Sequence, residues 1–244
     1  MSINQLLPFL STIVMFVFTG YVMQRYFVRR RLSFLFWGLG LAMFAMGSLA
    51  EALLAFTWNK WVFFAWYLFG AVLTAAWIGQ GTVYLLVKKR RAHVLTAILV
   101  TASVVAAILL LLRMPHLNSA IFSPETAISE QYKEIIGDID AGGYVRLTTP
   151  FFNVYGLITL VGGALWSSYL FWRKRVLPNR VIGNVLIAVG ALTIASASTL
   201  TRLGYGQVLY LGELLAAILM FAGFLAAAAP RSERSAKETA PTAT

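Results

Sequence analysis

Residues 206–229 read GQVLYLGELLAAILMFAGFLAAAA, an apolar run whose single ionisable side chain is Glu213. A helix of about 20 mostly apolar residues is what crosses the hydrocarbon of a bilayer. An acid placed inside such a helix is costly and marks a position where chemistry is worth seeking.

The rest of the chain repeats the pattern. Hydrophobic residues make up 59% and charged residues only 12%, against roughly half and a quarter in soluble domains. The apolar residues gather into seven runs long enough to span a membrane: 6–26, 33–57, 61–87, 92–113, 149–172, 181–201 and 206–229. The first run lacks the basic start and the small-residue cleavage site of a signal peptide, and it is too long for one. The expected class is therefore all-α: a seven-helix, multi-pass protein of the cell membrane, with the lipid bilayer as its first partner. Residues 1–229 form the transmembrane domain. The polar tail 230–244, PRSERSAKETAPTAT, is expected to be disordered and cytoplasmic.

Lys and Arg set the expected orientation. Arg25, Arg29, Arg30 and Arg31 lie between spans 1 and 2, and Lys88, Lys89, Arg90 and Arg91 between spans 3 and 4. Arg173, Lys174, Arg175 and Arg180 lie between spans 5 and 6, and Arg231, Arg234 and Lys237 are in the tail. These alternate connections hold most of the 20 basic residues. The positive-inside rule then predicts an outer N-terminus and a cytoplasmic C-terminus. It also explains the net charge of +11 without nucleic acid.

The one long connection, 114–148, falls on the predicted outer side. Ser123 is placed to cap a helix over about 124–136, with Pro124 at its first position. Ile128, Tyr132, Ile135, Ile136 and Ile139 then form one apolar stripe, and Gly137 or Gly142 ends the helix. The favoured expectation is an interfacial helix lying on the outer leaflet; the sharper one is a lid over an outward-facing pocket. DIDAGG at 138–143 resembles the start of a calcium loop, but Gly142 and Thr149 stand where ligands belong.

A faint repeat pairs Pro8, Phe9 and Gly20 with Pro150, Phe151 and Gly162, and Gly40, Gly47 and Tyr67 with Gly183, Gly190 and Tyr210. It makes spans 1–3 and 5–7 parallel units joined by span 4. This three-plus-one-plus-three plan resembles that of the SWEET/PQ-loop carriers and the opsins. The resemblance is architectural: no Pro-Gln dipeptide occurs, and the last span lacks the lysine that a retinal Schiff base requires.

Two acids lie inside spans, Glu51 in GSLAEALLAF and Glu213. Counting at 1.5 Å per residue from the span ends places both at a similar depth below the outer face. Around that level the spans offer Tyr67, Thr74, Asn153, Tyr155 and Tyr210, with Arg202 as the cation above. The expected ligand-binding set is Glu51, Tyr67, Thr74, Tyr155, Arg202, Tyr210 and Glu213, around a polar, acidic cavity opening outward. Gln80 and Asn184 sit nearer the inner side, where an interhelical hydrogen bond is their expected use. Trp37, Trp58, Trp61, Trp66 and Trp172 fall near span ends, as aromatic belts do.

The chain has no cysteine, and His93 and His116 lie at opposite ends of span 4. That composition argues against haem, zinc and Ser-His chemistry inside the bundle. No enzyme activity and no cofactor is expected. The expected function is a carrier or binding protein for a small molecule or ion, with a proton as one candidate ligand. The alternative is a sensor or accessory subunit acting through a partner membrane protein.

Overall fold

The computed structural model describes residues 3–140, 142–174, 178–203 and 205–229; the side chains of residues 3–5, Arg202 and Gln207 fall outside this set. The tail 230–244 also lies outside the described residues, as does Arg175 in the connection between spans 5 and 6.

All regular structure among the described residues is helical. Seven helices are long and apolar enough to cross a membrane. Span 1 is Ile3–Arg29, span 2 Leu32–Leu54, span 3 Lys60–Leu86 and span 4 Lys89–Arg113; span 5 is Tyr144–Arg173, span 6 Pro178–Arg202 and span 7 Gln207–Ala228. Helices satisfy their own backbone polar groups, which a lipid environment requires. Spans 1 and 2, 2 and 3, and 6 and 7 pack as antiparallel neighbours, span 3 also meets span 5, span 1 closes onto span 7, and span 4 leans on span 3.

Small residues set the closest approaches. A Cβ on Gly47 of span 2 would lie 2.5 Å from the Gly70 Cα of span 3. A Cβ on Gly183 would lie 2.5 Å from the Gly223 carbonyl oxygen, so spans 6 and 7 touch backbone to backbone.

Two spans depart from regular α-geometry. Span 3 winds as a π-helix over Trp66–Leu73, and span 5 over Ile158–Gly162. Wider winding shifts carbonyls out of the i→i−4 ladder, and side chains take them up. Thr74 Oγ1 donates to the Phe69 carbonyl at 2.6 Å, and Asn153 Nδ2 reaches across from span 5 to the Ala71 carbonyl at 3.2 Å. Thr159 Oγ1 donates to the Tyr155 carbonyl at 2.7 Å.

The long connection folds back onto the bundle. Its helix runs Ile128–Ile136 and ends at Gly137, whose φ of 86° suits glycine. It starts later than the cap at Ser123 predicts. The Ser123 hydroxyl instead accepts from the Glu125 N–H, and Gln131 gathers the Ser123 N–H and the Ser123 and Thr126 carbonyls. The apolar stripe is not laid out for lipid: Ile128, Ile135 and Ile136 are buried in one core with Leu54, Phe63 and Tyr67. Arg113 and Arg146 fasten the helix end through the Ile136 and Gly137 carbonyls. Asp138, in the calcium-like stretch, faces Arg146 at 3.6 Å.

Candidate functional site

Glu51 stands one turn before the end of span 2, and Glu213 in the second turn of span 7. The structure sets Glu213 of span 7 against the face of span 2 that carries Glu51. Ser48, three residues before Glu51 and so on the same helical face, donates to Glu213 Oε2 at 3.4 Å. Trp66, in the π segment of span 3, is buried. Glu51 is buried, Glu213 half-buried, and Glu51 Oε1 has no hydrogen-bond partner among the described residues. A buried acceptor oxygen without a donor is uncommon in proteins.

Tyr210 is buried one turn from Glu213 on span 7. Directly above it, the connection helix places the Glu130 carboxyl against Gly206, where any Cβ would collide with it. Tyr132 of the same helix packs on the rings of Trp66 and Tyr67 at 5.9 and 5.8 Å. The connection helix therefore packs over that end of the bundle, above the acid level.

The other expected site residues separate from the acids to different degrees. Tyr67 is 1% exposed, and its hydroxyl pairs with Thr149 Oγ1 at 3.0 Å. Thr74 is committed to the Phe69 carbonyl of the π segment. Tyr155 donates its hydroxyl to Gln80 Oε1, away from the acids. Gln80 is fully buried and itself donates to the Ala92 carbonyl at 3.1 Å and to Thr96 Oγ1 at 2.8 Å, an interhelical role between spans 3 and 4. The Arg202 side chain lies outside the described residues. Trp61 and Trp172 are exposed as belt residues are, while Trp66 is buried.

A cavity of about 470 Å³ opens at the opposite end of the bundle, among the basic connections. Phe18, Leu41, Ile78, Leu160, Met220 and Phe224 wall its interior. Arg25, Arg29, Arg31, Lys174 and Arg180 surround its mouth, and neither Glu51 nor Glu213 lines it. Asn184, expected near this end, is on its wall. The sequence signalled these cations as topology markers only; Ser48 was detectable from its i,i+3 spacing to Glu51.

Comparison with protein-family models, with curated proteins and with solved structures finds no match to this chain.

Proposed function

We propose that this protein is a membrane-embedded carrier or binding protein for a small molecule or ion, and that the Glu51–Glu213 pair is where a proton or cation is taken up. The observation that supports this most is the bond from Ser48, on the Glu51 face of span 2, to the Glu213 carboxylate, with Glu51 Oε1 left without a donor among the described residues. Two like charges held together away from water repel strongly, and a proton or a cation relieves that repulsion. Ser48 and Tyr210 supply the neutral polar groups that complete such a site. With the N-terminus and the 114–148 connection on the outer side, as the basic residues favour, the pair sits beneath the outer surface under the roof of that connection. The faint repeat fits this reading, since carriers often place ions and substrates between repeated units.

The test is carboxyl neutralisation with shape kept. In lipid nanodiscs, thermal unfolding of wild type should respond to pH or to one of Na⁺, K⁺ or a small organic ammonium ion. Glu51→Gln and Glu213→Gln should each lose that response while remaining folded. Equal responses in wild type and both variants would make the pair a structural contact and end the proposal.

A further inference from the structure

The cavity at the basic end has an uneven lining. Its depth is formed by aromatic and aliphatic side chains, including Phe18 at 3% and Leu41 at 2% exposure. Its mouth carries five cationic side chains, and among the described residues no acid lines it. Orientation in the membrane requires basic residues somewhere in these connections; it does not require them to converge on one opening above an apolar chamber. Two of the cations are held in place by their neighbours. Arg25 Nη2 donates to the Tyr21 hydroxyl at 2.8 Å, and the Arg180 guanidinium lies over the Phe171 ring at 5.4 Å. Arg31 and Ser33 mark the first turn of span 2, whose open backbone N–H groups add positive potential at the same mouth.

We propose that this cavity binds a single-chain amphiphile with an anionic head group. The chain occupies the apolar interior, and the head rests among Arg25, Arg31 and Arg180. A volume of about 470 Å³ falls within the range of ligand pockets. Arginine is suited to the head because its planar donors engage phosphate and carboxylate in pairs. A neutral amphiphile would leave the cations without a partner, and a cationic one would be repelled by them. This site is separate from the Glu51–Glu213 pair, so either assignment stands without the other.

Binding of dodecyl phosphate to the full-length protein in phosphatidylcholine nanodiscs tests the proposal by equilibrium dialysis and thermal shift. Saturable binding is expected, with dodecanol, dodecyltrimethylammonium and inorganic phosphate each binding far more weakly. The double variant Arg31→Gln/Arg180→Gln alters exposed side chains and should weaken dodecyl phosphate by roughly tenfold or more at unchanged stability. Ala164→Leu, which adds bulk to the cavity wall, should weaken it through the chain instead. Glu213→Gln should leave this binding intact, which separates failure here from failure of the carboxyl-pair reading. Repeating the assay with phosphatidylglycerol in the disc identifies the source. Competition assigns the site to an anionic bilayer lipid, and its absence to a soluble amphiphile; both support the same head-and-chain chemistry. Equal binding of the cationic amphiphile, equal binding of inorganic phosphate, or indifference to both the rim and wall variants would overturn it.

Discussion

The two ends of the bundle are built from similarly apolar helices, yet a connection packs onto one and a cavity opens at the other. At the end beneath the long connection, Phe63, Trp66 and Tyr67 pack against the returning Ile128–Ile136 helix, and all three of that helix's core isoleucines are buried. At the basic end, spans 1 and 2 are joined by Arg30 and Arg31 alone, and spans 3 and 4 by Val87 and Lys88. Connections that short have no chain to send back between the helices, and among the described residues the space there is open. The difference teaches that hydropathy places helices in the membrane, whereas loop length decides which end of the bundle is closed.

The sharpest way to break this comparison is to empty the filled end. Ile135 is fully buried, and Ile135→Ala should cost about 2–5 kcal/mol, because a cavity opens where the roof is packed. Leu160→Ala, on the wall of the existing cavity, should cost distinctly less. Denaturant titration in mixed micelles measures both; equal losses would show that the two ends are packed alike. A smaller contrast comes from glycines. Gly47→Ala forces a methyl against the Gly70 backbone and should destabilise by about 1–3 kcal/mol. Gly20→Ala meets no atom within 4 Å and should raise stability by up to ~1 kcal/mol through helix propensity. If both alanines lowered the unfolding temperature equally, the backbone contact between spans 2 and 3 would not matter.

Much of this architecture was legible in the sequence, because span length and basic clusters are local properties. That Glu213 comes against the Glu51 face of span 2 could be anticipated by counting depth along two oppositely directed helices. Which way Tyr155 turns could not, since a small rotation of span 5 delivers its hydroxyl to Gln80 instead of to the acids. The start of the connection helix was misplaced because Gln131, eight residues on, captures the backbone around Ser123. That competition is invisible to capping rules that read only nearest neighbours. Cavity shape depends on how several helices diverge, and no single stretch of sequence carries it.

The winding of span 3 bears on how the chain is put together after synthesis. Asn153 belongs to a helix made later, yet it donates to the Ala71 carbonyl inside the π segment. Until span 5 arrives, that donor is missing from span 3. The π segment therefore gains its cross-helix hydrogen bond only once the later helix is in the membrane.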